Sequence, residues 1–111
     1  MDLNSLSSKY FNSWNSNKIE NLKDLFSENC SLRDWTMNVS GKDDVLSANK
    51  KIFDDVPGIR AEIINLHLSD KSNTAVAEII IHLSEKEKLK VVDVLTFDQD
   101  GLIKSIRAYQ G

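Results

Sequence analysis

The sequence contains few residues that interrupt helices and strands or form disulfide cross-links. One proline and four glycines among 111 residues make a disordered or collagen-like protein unattractive. The only cysteine, Cys30, can form neither an intrachain disulfide nor a cysteine metal site. No flanking histidine or lysine activates its thiol, so we interpret Cys30 as a structural residue.

Long apolar runs and basic clusters are also missing. No segment approaches the roughly 20 apolar residues of a membrane-spanning helix. Residues 1–5 lack the basic and apolar regions of a secretory signal. The formal net charge is −3 and no segment is dense in Lys or Arg, so neither nucleic acid nor a membrane is an expected partner. We therefore expect a cytoplasmic protein.

Composition and the order of patterns predict one globular domain over residues 1–111. Hydrophobic residues make up 41% of the chain and charged residues 28%, both ordinary for a globular domain. Helical spacing dominates the first half of the chain, and strand-like runs dominate the second half. This order predicts an α+β fold with helices packed on one side of a sheet.

Three helices are predicted in the first half. Apolar residues recur at helical spacing over about 2–15 and again over about 40–56. Between them, a capping-box pattern and further apolar spacing predict a second helix over about 17–29. A short strand over 30–35 is expected to follow that second helix.

Four strands are predicted in the remainder, over 59–69, 74–84, 89–97 and 102–109. These runs are rich in Ile, Val and Leu and are separated by polar turns, which is typical of an antiparallel meander. Three helices packed on a curved antiparallel sheet form a cone with one open end. Such a cone encloses a pocket for a small molecule between sheet and helices.

Asp93 is the one polar residue on the apolar face of its predicted strand, among Val91, Leu95 and Phe97. A carboxylate in such surroundings is costly unless it is paired or neutral, and burial would raise its pKa. An alternative is a local twist that lets Asp93 reach solvent or a lysine at the sheet edge.

Tyr10, Asp34 and Asn49 are predicted to face the same cone. Tyr10 lies on the apolar stripe of the first helix, Asp34 follows Leu32 by two residues, and Asn49 lies on the stripe of the third helix. Each has an ordinary alternative: a core tyrosine bonded to the backbone, a turn aspartate, and a hydrated amide.

Together, Tyr10, Asp34 and Asp93 suit enolisation beside a carbonyl. A phenol and a neutral carboxyl would donate to the oxyanion, and an ionised carboxylate would move the proton.

Six residues besides Tyr10, Asp34 and Asp93 are expected to contact a ligand: Trp14, Trp35, Asn49, Phe53, Val91 and Leu95.

His67 and His82 have no second ligand at metal spacing, and Asp98–Gly101 is predicted to be a hairpin turn rather than a calcium loop. We therefore expect neither a metal nor a cofactor.

Residues 10–34 and 93–111 carry a family resemblance. The run YFNSWNSNKIENLKDLF from Tyr10, its continuation to Asp34, and the tail from Asp93 resemble the nuclear transport factor two-like superfamily. Within it, they are similar to bacterial ketosteroid isomerases and SnoaL-like proteins. The resemblance spans nearly the whole chain and implies the cone-shaped fold. It also implies an oxyanion-hole role for Tyr10, a general-base role for Asp34, and a protonated oxyanion-hole role for Asp93.

The sequence departs from the isomerases near the pocket. Trp35 stands where they have a proline, the loop 34–41 is shorter, and Asn49 replaces a tyrosine that supports the oxyanion-hole tyrosine. The superfamily also contains polyketide cyclases, epoxide hydrolases, non-catalytic modules, and dehydratases, for which His67 or His82 would have to face the pocket. The fold alone does not choose among them.

The resemblance therefore favours isomerase-like chemistry on a small hydrophobic carbonyl compound. A cyclase or dehydratase, and a ligand-binding or dimerisation module, stay open as alternatives.

The opposite face of the predicted sheet is unusually apolar. A contiguous exposed apolar face marks an interaction surface, so we expect a homodimer formed through this face. Its predicted members are Val92, Val94, Ile64, Leu66, Leu68, Val76 and Ile80.

Overall fold

The computed structural model describes all residues from 1 to 111, and it contains two α-helices and one six-stranded sheet. In chain order the elements are α1 (Leu3–Asn15), β1 (Phe26–Arg33), β2 (Asn38–Ser40), α2 (Lys42–Asp55), β3 (Arg60–Ser69), β4 (Thr74–His82), β5 (Lys88–Phe97) and β6 (Ile103–Gln110). The strand order is β2-β1-β6-β5-β4-β3. Strands β3 to β6 form the predicted antiparallel meander, and β1 joins β6 in parallel. The α+β class is confirmed.

Helix α1 has the predicted bounds and a buried stripe. The carboxylate of Asp2 caps its start by accepting a hydrogen bond from the backbone N–H of Ser5, at 3.1 Å. Tyr10, Phe11 and Trp14 are buried against the sheet, as their spacing predicts. Helix α2 is also confirmed, and it buries Val45, Asn49 and Phe53. The longer of these helices has 14 residues, and no helix is long and apolar enough to cross a bilayer.

The segment predicted as a second helix is instead a 3-10 turn at Ile19–Asn21, followed by the start of β1. Phe26 pairs with Ile103 of β6, so the chain is already extended where the local pattern predicts helix. Asn29 lies within β1 rather than at a helix end. Pairing with the distant strand β6 outweighs the modest local preference of this segment for a helix.

A β-bulge in β3 changes which side chains face outward. Ile63 and Asn65 pair with consecutive residues of β4, which leaves Ile64 unpaired. Beyond this bulge, Leu66 and Leu68 pair with buried alanines of β4 and therefore lie on the concave face. The prediction that Leu66 and Leu68 belong to the outer face is wrong for this reason.

Strand β5 forms the centre of the concave face. Val91, Asp93, Leu95 and Phe97 are buried, and the residues between them are only half-buried. This alternation is the predicted one. It places the carboxyl group of Asp93 beneath the two helices.

Candidate functional site

A cavity of about 70 Å³ lies between the two helices and the concave face. Twelve of its 15 lining residues are hydrophobic, so each polar group within it is conspicuous. It brings Tyr10, Asp34 and Asp93 together, as predicted from the sequence. The volume is well below the roughly 300–1,000 Å³ of sites for drug-sized ligands, so it suits a small molecule.

Asp93 is buried in this cavity without a cationic partner. The residue is 9% exposed, and burial, followed by the negative charge of Asp34, raises its pKa to about 7. In the sheet it pairs with Ala77 on β4 and Ala108 on β6, whose small side chains leave space beside the carboxyl group. Below neutral pH the carboxyl is protonated and can donate a hydrogen bond.

Tyr10 presents a second donor to the cavity. The residue is 5% exposed, and its ring packs edge-on against Phe11 and Phe26, with ring centres 5.1 Å and 6.1 Å away. Burial, followed by the charge of Asp93, raises the pKa of Tyr10 well above its ordinary value, so the phenol keeps its proton. The alternative of a backbone partner is not seen, because the hydroxyl forms no hydrogen bond to the chain, and Tyr10 lines the cavity.

Asp34 is half-buried just after β1, and its two oxygens differ. Oδ1 accepts hydrogen bonds from the backbone N–H groups of Thr36 and Met37 and from the Thr36 hydroxyl, at 2.7, 2.8 and 3.1 Å. The turn-forming role considered from the sequence is therefore real for Oδ1. Oδ2 takes no part in these bonds and remains available to accept a proton.

Asn49 and Trp14 form a buried pair in the cavity wall. The indole Nε1–H of Trp14 donates to Asn49 Oδ1 at 3.0 Å, and Asn49 Nδ2 donates to the Val45 carbonyl at 2.9 Å. Asn49 is only 2% exposed, so it is not the hydrated amide considered as an alternative. Trp35, 44% exposed, lines the mouth.

The predicted ligand-contacting residues divide into two groups. Trp14, Trp35, Asn49 and Val91 line the cavity. Phe53 and Leu95 are outside its lining: Phe53 packs edge-on against Trp14 with ring centres 5.5 Å apart, and Leu95 is fully buried in the core. The helix and strand periods show that Phe53 and Leu95 face the interior, but not that they lie behind the residues that line the cavity.

The remaining residues that line the cavity are apolar, and the sequence did not predict them as ligand contacts. They are Phe11, Leu32, Ile52, Ala61, Ile79, Ile81, Ile106 and Ala108. The run Ile79–Ile81 is apolar on both faces of its strand, so alternation could not tell which residues point inward. The inward-facing alanines are a sequence feature that could have indicated the cavity, since small residues on a concave face leave room for a ligand.

Both histidines lie on the outer face, away from the cavity. His67 Nε2 lies 2.7 Å from Glu78 Oε2, and His82 Nε2 lies 2.8 Å from Glu62 Oε1. His67 pairs across the sheet with Val76, which confirms its outward direction. The cavity thus has no histidine in its wall.

This fold and site define a class: small α+β proteins with an apolar cavity that contains a pair of aspartates. The model of the SnoaL-like domain matches residues 8–106, and the chain belongs to this family. The search of curated protein sequences found no match.

Solved structures agree with this fold. A proposed ketosteroid isomerase from Kribbella flavida is 20% identical, with a TM-score of 0.82 over 98% of this chain and 77% of the other. A proposed SnoaL-like isomerase from Agrobacterium tumefaciens is 14% identical, with a TM-score of 0.80 over 96% and 95%. The epoxide hydrolase/cyclase-like enzyme SalBIII is 16% identical, with a TM-score of 0.77 over 98% and 90%. At these identities the likeness shows the fold alone.

Proposed function

We propose that this chain is an enzyme that enolises a small hydrophobic carbonyl compound, in the manner of a ketosteroid isomerase. The proposal rests on one observation. Tyr10 and Asp93 are two buried hydrogen-bond donors without partners in the chain, and both face the cavity that Asp34 also lines. Buried polar groups normally have partners, so a ligand oxygen is the natural acceptor for both.

The proposed reaction moves a double bond. The carbonyl oxygen of a β,γ-unsaturated ketone accepts hydrogen bonds from the Tyr10 hydroxyl and the protonated Asp93 carboxyl. Asp34 Oδ2 removes a proton from the α-carbon, and the electron pair moves to the oxygen to form an enolate. The same proton is returned to the γ-carbon, which yields the conjugated ketone. The donors bind the developing negative charge more strongly than the neutral carbonyl.

Different surroundings separate the roles of the two aspartates. Asp93 lies deep among apolar side chains, which favours its neutral form. Asp34 lies at the mouth, and its negative charge contributes to the raised pKa of Asp93. Two carboxyl groups with different environments can act as donor and base in one site.

The cavity size narrows the substrate class. A volume of about 70 Å³ favours a compact compound over a steroid. We propose that the enzyme acts in the cytoplasm on such a compound without a metal or cofactor, because the three side chains supply the complete acid–base set.

A cyclase reaction is the second candidate. The structural neighbour SalBIII is described as acting in pyran ring formation, and a buried acid with a nearby base also suits ring closure. A dehydratase is less well supported, since neither histidine reaches the cavity.

Phenol binding tests the oxyanion site, because a phenolate resembles an enolate. Phenol should bind in the cavity with its oxygen on Tyr10 and Asp93, which can be followed by calorimetry. The double variant Tyr10→Phe with Asp93→Ala should weaken binding by about tenfold or more, because two hydrogen bonds to a charged oxygen are lost. Equal binding to the wild type and this variant would exclude the oxyanion assignment.

Asp34→Asn separates catalysis from binding. The variant should bind phenolate as tightly as the wild type or more tightly, because a repelling charge is removed. It should lose conversion of cyclohex-3-enone, measured by the ultraviolet absorbance of the conjugated product. A wild type that binds phenol but converts no ketone would instead be a non-catalytic binding module.

A further inference from the structure

The amide of Asn49 is held in one orientation by its two partners. Trp14 Nε1 can only donate, so Asn49 must turn its Oδ1 to the indole, at 3.0 Å. The Val45 carbonyl can only accept, so it must face Nδ2, at 2.9 Å. The two contacts together exclude a flipped amide and prevent the group from rotating.

One amide proton of Asn49 is left over. An Nδ2 group carries two protons, and the Val45 carbonyl takes one of them. Asn49 is 98% removed from solvent, yet it lines the cavity. A buried donor without an acceptor is unfavourable, and a ligand acceptor in the cavity would remove this cost.

We propose that Asn49 is a specificity-determining residue that donates this remaining amide proton to a second oxygen of the ligand. The inference rests on the proposed function, since it takes the first oxygen to lie at Tyr10 and Asp93. It narrows the substrate to carbonyl compounds that carry a second hydrogen-bond acceptor, such as an ether, hydroxyl or carbonyl oxygen. A pure hydrocarbon ring with a single carbonyl would leave the Asn49 proton unpaired.

The spacing on α1 sets the distance between the two oxygens. Trp14 follows Tyr10 by four residues, so the two side chains lie on one helix face, about 6 Å apart along the axis. Asn49 is bonded to the indole of Trp14, and Asn49, Trp14 and Tyr10 all line the same cavity. Oxygens at opposite positions of a six-membered ring span a similar distance.

A matched pair of probes tests this assignment. 4-Methoxyphenol and 4-ethylphenol have nearly the same shape and acidity, but only the former has an acceptor opposite the phenolic oxygen. The wild type should bind 4-methoxyphenol about fivefold more tightly, the effect of one hydrogen bond of average strength. Calorimetric titration of both compounds measures the ratio.

Asn49→Leu provides the matched variant, because leucine has nearly the same shape but no donor. Its affinity ratio should fall to one or below, while 4-ethylphenol still binds. Asn49→Ala gives the same comparison if the leucine variant does not fold. Equal affinities for the two probes in the wild type would overturn the role of Asn49 and leave the oxyanion site intact. Failure of both probes to bind the wild type would instead reject the proposed function.

Discussion

Asp93 couples the stability of the protein to pH. Its pKa is about 7 in the folded chain against an ordinary value of 3.8, so between these values the folded state holds a proton that the unfolded state has lost. The contribution of Asp93 to the free energy of unfolding is therefore largest below about pH 4 and falls as pH rises to about 7. A difference of about 3 pKa units corresponds to about 4 kcal/mol at most.

Asp93→Asn should remove this dependence while preserving the fold, since an amide closely matches a protonated carboxyl. Relative to the wild type, the variant should gain stability as pH rises from about 4 to about 7 and then change little. Urea unfolding of both proteins across this range measures the difference and cancels the contributions of other carboxylates. A constant difference would show that Asp93 is ionised in the fold and paired, contrary to its surroundings in the structure.

At the scale of elements, two asparagines at the end of α1 and just after it bind the chain at the start of β3. Asn17 Nδ2 donates to the Ile59 carbonyl and Asn17 Oδ1 accepts from the Gly58 N–H, both at 2.7 Å. Asn17 also has a positive φ of 58°, which asparagine and glycine tolerate best. Asn15 forms two similar bonds to the backbone of Ala61. These bonds position Tyr10 and Trp14 over the sheet.

Two substitutions at Asn17 separate these contributions. Asn17→Gly removes the side-chain bonds but accommodates the backbone, and should lower the free energy of unfolding by about 1–2 kcal/mol. Asn17→Ala should lower it by about 1 kcal/mol more, because alanine is strained at positive φ. Asn4→Ala, at an exposed position of α1, is the control and should change little. Equal stability of the glycine and alanine variants would contradict the backbone contribution.

At the scale of the whole molecule, the outer sheet face carries an apolar stripe with charged residues around it. An apolar stripe runs along β4 and β5, with these members: Val76, Ile80, Val92 and Val94. Arg33 and Arg107 are register neighbours on one side of the stripe, and neither forms an ion pair within the chain. Glu62 lies on the other side, on β3, and Glu78 lies within the stripe, between Val76 and Ile80 on β4.

We propose a homodimer in which this face packs on its copy. A two-fold axis parallel to the strands would lay the stripe of one copy on the stripe of the other and bury both. Sedimentation at micromolar concentration should give twice the chain mass of 12.6 kDa. Val94→Lys should give a monomer, and Asn12→Lys, on the exposed side of α1, should not. A monomeric wild type would rule the dimer out.

Periodicity in the sequence was sufficient for features that belong to one element. The apolar stripes of α1 and α2 and the alternation along β5 placed Tyr10, Asn49 and Asp93 on buried faces, and the structure agrees. Spacing reports which side of an element is apolar, because side chains follow the helix or strand period directly. Most of the fold and the residues at the centre of the site could be predicted in this way.

Tertiary contacts decided the remainder. Pairing of Phe26 with β6 made the end of the second predicted helix a strand, and the bulge at Ile64 reversed the faces of Leu66 and Leu68. Packing of Phe53 behind Trp14 removed it from the cavity wall, which its helical spacing could not reveal. A local pattern contains no information on which distant strand a segment pairs with or which layer lies in front of it. Those choices come from burying the most apolar surface while every buried backbone group keeps a partner.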